Sequence, residues 1–503
     1  MSLNLASIVF ESAQKYPNEM ALACGLSYQS LEAKIVTFGC TLQTKGLKPG
    51  DRVALMSENR PEFTVAYFAI LAAGGIVVPI NTLLSAREVA YCLEHSQTIL
   101  IVHSDLTCEI VRESVSRVQP RPAMIDLPQI SSLAVDLDKC QSAKEVGFEP
   151  FETSPDDTAV IFYTSGTTGR PKGAEVTHFN LYSNALWVSE RSLEHPSEPL
   201  NVWGPGHCTL ALLALSHSFG QTCMQNAPLL SGGCVAYVAK FDAHNLVHQI
   251  AQDHVTILAA VPRMIKEMLA LPDLSSKALE RFQYCLVGGA PINQDVVKAF
   301  EDKFQVSVLE GYGLSETSPV IVFRSPGIPR KDGSVGRAIR GVKIRVVDEQ
   351  GQRVPAGEVG EIVVRGQAVM KGYHDDVRET ELAIKRGWLH TGDLGFLDED
   401  GDVFLVDRKT DMIIRNGYNV YPAEVESVLC AFPGVIEAAV VGVDDEKCGQ
   451  EIKAYIVGEF DEADLLCYCR KELAAYKYPR VIARVLELPK GHKGQLLRRM
   501  LRS

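Results

Sequence analysis

The chain has 503 residues, enough for two or more domains. Its 46% apolar and 22% charged residues are the composition of a soluble globular protein. A formal net charge of −12 argues against a general nucleic-acid binder, and any anionic substrate has to be met by local positive groups. Thirteen cysteines lack metal-ligand spacing and fit reduced thiols; Cys467-x-Cys469 is the one close pair. The start, Met-Ser-Leu-Asn-Leu-Ala-Ser, has no basic stretch followed by an apolar core, so a cytoplasmic protein without a signal peptide is expected.

Residues 51–56 read as a short strand, followed by a helix with Pro61 in its first turn. Residues 65–84 are nearly all apolar, but Gly74, Gly75 and Pro79 interrupt them. A buried helix running into a β-branched strand at 76–80 is therefore expected, not a membrane span. Ser85 and Glu88 have capping-box spacing before a helix at 86–94, and 99–102 is another apolar strand. This rhythm predicts an α/β fold of parallel or mixed sheets covered by helices. The polar, acidic residues 141–157 predict a loop before the apolar run 159–162.

Residues 163–173 read Tyr-Thr-Ser-Gly-Thr-Thr-Gly-Arg-Pro-Lys-Gly. Glycines after a strand let the backbone approach an anion, hydroxyls add donors, and Lys172 adds a point charge. The spacing is not that of a Walker A loop. The rhythm resumes from a helix after Thr177 to about residue 320, with a small-residue turn, Gly288-Gly289-Ala290-Pro291, ending the apolar run 285–287. In an open α/β sheet, ligands sit beyond the carboxyl ends of the strands, where both turns are placed. Residues 310–319 read Glu-Gly-Tyr-Gly-Leu-Ser-Glu-Thr-Ser-Pro. Tyr312 between Gly311 and Gly313 offers a face on which a base can stack. Glu316 is a hard oxygen ligand suited to Mg²⁺, and Thr317 offers a hydroxyl to a phosphate. Residues 387–395, Gly-Trp-Leu-His-Thr-Gly-Asp-Leu-Gly, place Asp393 to accept from a ribose diol, with Arg408 as a second nucleotide candidate.

From about 340 the pattern becomes strand-rich, with strands at 342–347 and 361–364. A polar run at 407–411 breaks it. Beyond lies a compact α+β unit: a helix starting at Pro422, strands at 436–443 and 451–457, a helix at 462–475, a strand at 482–487 and a basic tail. The organisation expected is a large N-terminal domain at 1–406 that includes a small β-rich subdomain, a hinge at 407–411, and a small mobile C-terminal domain at 412–503.

Together these stretches resemble the superfamily of AMP-forming adenylating enzymes: acyl- and aryl-CoA synthetases, peptide-synthetase adenylation domains and beetle luciferases. The resemblance also includes Ser216-His217-Ser218-Phe219-Gly220, residues 407–426 and the tail 489–499. It implies a two-step reaction: a carboxylate attacks the α-phosphate of Mg·ATP to give acyl-AMP and pyrophosphate; the small domain then rotates and a thiol attacks the acyl-AMP. It implies that Thr164, Ser165, Gly166, Thr167, Thr168, Gly169 and Lys172 hold the β,γ-phosphates, and that Tyr312 stacks on adenine. Glu310, Gly311, Gly313, Gly289, Ala290 and Pro291 line the nucleotide site. Thr317 touches the α-phosphate, Glu316 binds Mg²⁺, and Asp393 and Arg408 hold the ribose. The acyl pocket falls on Leu215, His217, Gly220, Gln221, Met224, Val261 and Gly288. CoA falls to Gly417, Tyr418 and Lys477. Residues 476–503 carry eight Lys or Arg against one acid, Glu487, a positive patch suited to the phosphates of CoA.

The tail departs from the family pattern, Pro-Lys-x-x-x-Gly-Lys-[Ile/Leu]-Leu-Arg-Arg. Here it reads Pro489-Lys490-Gly491-His492-Lys493-Gly494-Gln495-Leu496-Leu497-Arg498-Arg499. The lysine that bridges carboxylate and α-phosphate falls at Gln495, which is neutral. Either Lys493 substitutes, or Gln495 is an engineered block, or the chain performs the second half-reaction on acyl-AMP made by a separate adenylating enzyme; the last is the favoured expectation. The hinge position, usually Asp or Lys, is Thr410, and Arg263 stands where Thr is usual. The function expected is an acyl-CoA synthetase-type enzyme. The alternatives are a complete ATP-dependent ligase, a carrier-protein loading enzyme, and a non-catalytic adenylate or acyl-CoA sensor.

Overall fold

The computed structural model describes residues 3–127, 148–165, 170–191, 194–195, 198–199, 203–271, 279–289, 292–325, 329–408, 413–420, 422–489 and 498–501. The helix Pro61–Ala72 is apolar on all faces, and all of its residues from Phe63 on are buried. Such a helix belongs in the middle of a large domain. It turns at Gly74 (φ +84°) into the buried strand Ile76–Pro79. The apolar stretch is thus a helix and a strand, and no described helix is long and apolar enough to cross a membrane.

That strand belongs to a seven-stranded sheet in the order Gly372–Tyr373, Pro171–Thr177, Thr158–Ser165, Ile76–Pro79, Arg52–Met56, Leu100–His103, Ala123–Asp126. Its last five strands run parallel, with helical crossovers linking Arg52–Met56, Ile76–Pro79, Leu100–His103 and Ala123–Asp126 in chain order. A second sheet is parallel through Cys234–Tyr237, Cys208–Ala211, Val255–Ala260, Tyr284–Val287 and Ser307–Gly313. Ser307–Gly313 then pairs antiparallel with Val320–Phe323, and the sheet continues through Ser334–Ala338, Asp402–Arg408, Trp388–Leu397, Gly360–Gly366 and Val342–Val347. The strand-rich segment is therefore one hydrogen-bonded continuation of the parallel sheet, and the seam falls at Tyr312.

The C-terminal residues form a separate sheet of Tyr418–Val420, Ile413–Arg415, Gly449–Gly458 and Val435–Asp445, with Val481–Arg484 parallel to Gly449–Gly458. The helices Pro422–Cys430 and Glu462–Glu472 cover it, and Val425, Leu429, Val440, Ile452 and Leu465 fill its own core. The large domain meets it through the helix Ala86–His95, whose Ser85–Glu88 capping box is formed.

Candidate functional site

The carboxyl ends of the parallel strands and one face of the small domain enclose a single cavity of about 920 Å³. Strand pairing brings Thr164 opposite Lys172. The Lys172 ammonium pairs with Glu379 and lies 5.1 Å from the centre of the Tyr373 ring. Glu316 meets the same strand: its Oε1 accepts from Thr164 Oγ1 at 3.2 Å and from the Tyr373 hydroxyl at 3.1 Å. A carboxylate flanked by two hydroxyls is an oxygen donor set that fits Mg²⁺.

The Tyr312 hydroxyl donates to Asp393 Oδ2 at 2.6 Å, and Asp393 in turn pairs with Arg408 in strand register. Tyr312, which lines the cavity, is thus tied to a strand 81 residues further along the chain. Gly313 beside Tyr312 admits no side chain, since a Cβ there would lie 1.7 Å from the Pro319 carbonyl.

One wall of the cavity is built around His217, at the start of the short helix Ser218–Gln221. The Asn81 Oδ1 accepts from the Leu83 amide at 2.8 Å, which turns the Asn81 Nδ2 toward His217 Nε2 at 3.0 Å. The imidazole therefore accepts at Nε2 and carries its proton on Nδ1. Burial pushes its pKa down to about 4, so it is neutral at pH 7. The Tyr418 ring, from the small domain, sits 6.1 Å from the His217 ring and stacks on Tyr476 at 4.3 Å. Gly288, Gly220 and Val261 line this part of the cavity, as does Arg263, whose guanidinium pairs with Glu267 at 2.6 Å.

Neutral burial of His217 and of His178, also lowered to about 4 by burial, makes stability depend on pH. Each folded pKa lies below the unfolded value of about 6.5, so the unfolded chain binds more protons as pH falls. Stability from both is complete above about pH 6.5 and is lost toward pH 4, on the order of 3 kcal/mol for each. Thermal melts across this range should show a falling midpoint, and His217→Gln should make the fall shallower.

Several expected site residues stand elsewhere. Thr317 is fully buried; its hydroxyl accepts from the Leu314 amide at 2.8 Å and donates to the Pro319 carbonyl at 2.7 Å, so it ties the turn together and does not face the cavity. Glu310 lies behind the cavity wall with Gln294 and Arg324. Gln221 is buried and donates to the Leu215 carbonyl at 3.0 Å, while Leu215 and Met224 belong to the core. Lys477, expected at CoA, does line the cavity, but it is 3% exposed and its ammonium is held by Glu88 at 2.9 Å and Glu424 at 2.8 Å. The basic tail is likewise partly neutralised, Arg498 by Glu426 and Arg484 by Glu459. Gly166, Thr167, Thr168, Gly169, Ala290, Pro291, Thr410, Lys493 and Gln495 lie outside the described residues, and Ser165 and Arg408 are described by their backbones.

Sequence reasoning missed Asn81, Tyr373, Glu379, Glu88 and Glu424. Asn81 had a usable signal, since it stands just past the carboxyl end of a parallel strand. A family model described as AMP-binding enzyme matches residues 9–374, and one described as AMP-binding enzyme C-terminal domain matches 424–495. The chain belongs to the AMP-binding enzyme family. A long-chain-fatty-acid–CoA ligase of Bacillus subtilis is 33% identical over 99% of this chain and 94% of its own. The o-succinylbenzoate-CoA synthetase MenE of Bacillus subtilis is similar in two states, both at 30% identity. A double mutant bound to the product analogue OSB-NCoA superposes with a TM-score of 0.87, covering 99% of this chain and 98% of its own. The complex with the acyl-adenylate OSB-AMP gives 0.71, covering 100% and 98%.

Proposed function

We propose that this family member forms acyl-CoA thioesters from acyl-adenylates and CoA, and that its adenylating half-reaction is weak because Gln495 replaces the lysine. The observation that carries the reading is the docking of the small domain. It brings Gly417 and Tyr418 against Val261 and His217 beside the acyl pocket, where a thiol has to enter. The greater likeness to the CoA-product-analogue state of MenE supports the same assignment.

In this reading Tyr312, Asp393 and Arg408 orient the adenylate, and the neutral His217 packs against the acyl group without adding charge. Glu316 would hold Mg²⁺, which neutralises phosphate charge when bound. The rest of the work is positioning: the cavity walls exclude water and hold the acyl carbonyl where a thiol entering past Gly417 can reach it. Gly417 and Tyr418 then serve CoA, and Lys477 serves it only indirectly. A separate adenylating enzyme would supply the acyl-AMP.

A complete ATP-dependent ligase using Lys493 is the second reading, favoured by the placement of Lys172 and Glu316 at the phosphate loop. The deciding assay compares acyl-CoA formation from ATP and free acid with formation from presynthesised acyl-AMP, across medium-chain, long-chain and aryl acids. Turnover from the adenylate alone supports the proposal; vigorous turnover from ATP selects the second reading. No turnover from either leaves a binding protein and sinks both.

A further inference from the structure

The buried charges between the domains, at the wall of the cavity, form one unit. Lys477 of the small domain donates to Glu88 of the large domain at 2.9 Å and to Glu424 of its own domain at 2.8 Å. All three are nearly inaccessible, at 3%, 8% and 5% exposure. We infer that Lys477 is a positioning residue for thioester formation: with Glu88 and Glu424 it bolts the small domain into the docked arrangement. The inference rests on the assignment of this arrangement to the thioester-forming step.

Glu88 is preorganised for this. Its Oε2 accepts from the amide and the hydroxyl of Ser85, both at 2.8 Å, in the capping box of the helix Ala86–His95. That leaves Oε1 aimed across the seam. The two carboxylates share one ammonium, and Glu424 Oε2 is buried without a partner among the described residues. Burial raises the Glu424 pKa, against the opposing pull of the Lys477 ammonium. Burial alone disfavours the Lys477 ammonium, but the surrounding negative groups outweigh it and hold it protonated. When the small domain swings away, Lys477 keeps Glu424 and loses Glu88. The bolt is therefore specific to one arrangement, the use of buried ion pairs that is best attested. Ser85 and Arg87 flank it, both bonded to Glu472 on the small domain.

Glu88→Gln is the decisive variant. Glutamine still closes a capping box, so the helix start survives while the interdomain charge is lost. Lys477→Met is the harsher one, since it leaves two buried carboxylates uncompensated. Losing one charge-assisted bond should shift the ratio of docked to undocked molecules about 10- to 100-fold. Hydrogen exchange on the full chain reads this without substrate. Glu88→Gln should speed exchange of the docking face, residues 413–420 and 472–477, and leave the small-domain strand Val435–Asp445 protected. Thioester formation from acyl-AMP should fall while ATP-dependent pyrophosphate release does not. Unchanged exchange at the docking face, or acceleration spread equally into Val435–Asp445, would overturn the inference. Failure of the unmodified chain to use acyl-AMP would instead remove the functional assignment and leave the exchange result to judge the bolt.

Discussion

Gln495→Lys should raise ATP-dependent acyl-CoA formation on the order of 10²- to 10³-fold, the cost typical of losing one preorganised group that stabilises developing charge. The carboxylate and the α-phosphate are both anionic as they approach, and the chain carries a net charge of −12. A neutral amide donates hydrogen bonds but cannot offset that charge; an ammonium does both. The gain should appear in pyrophosphate release with Mg·ATP and acid. It should be absent from thioester formation starting with acyl-AMP, which does not pass through the phosphate displacement. A lysine variant no faster than the parent in pyrophosphate release would locate the missing charge elsewhere. Lys493→Ala then tests the substitute directly: loss of ATP-dependent turnover on that change would assign Lys493 the role.

Local signals were legible in the sequence because their partners are near in the chain. The Ser85–Glu88 spacing forms the capping box it predicts, and the break at Gly74 separates the expected helix from the expected strand. Tyr312 and Asp393 were legible as motif members, although the bond joining them crosses 81 residues. What could not be read was which side chain a charged or hydroxyl group would meet. Lys172 finds Glu379 across 207 residues and His217 finds Asn81 across 136, pairings that only the sheet order creates. Lys477 reads in sequence as a CoA-binding cation within a basic tail. Burial at the seam beside two carboxylates turned it into an internal charge. Thr317 shows the converse. Its motif suggests a phosphate donor, but the tight turn before Pro319 takes up its hydroxyl.

Gly417→Val should lower thioester formation from acyl-AMP and CoA about 10- to 100-fold, as strain of about 1–3 kcal/mol at the seam would. Asn416 and Gly417 form the two-residue turn between Ile413–Arg415 and Tyr418–Val420, with φ of +54° and +80°. A turn with both central residues at positive φ takes Asn-Gly readily and a β-branched residue poorly. The second cost lies across the domain boundary: a Cβ on Gly417 would sit 3.0 Å from Val261 Cγ1. The first cost strains the small-domain turn in any arrangement; only the second depends on the large domain and falls on the docked arrangement. Adenylate affinity, measured by calorimetry with acyl-AMP, should hold, because Tyr312 and Asp393 are untouched. Adding Val261→Ala to Gly417→Val separates the two. Partial recovery of thioester formation shows that contact across the seam limits the step. No recovery assigns the whole loss to the turn, and with it the idea that close approach at Gly417 sets the thiol entry would fall.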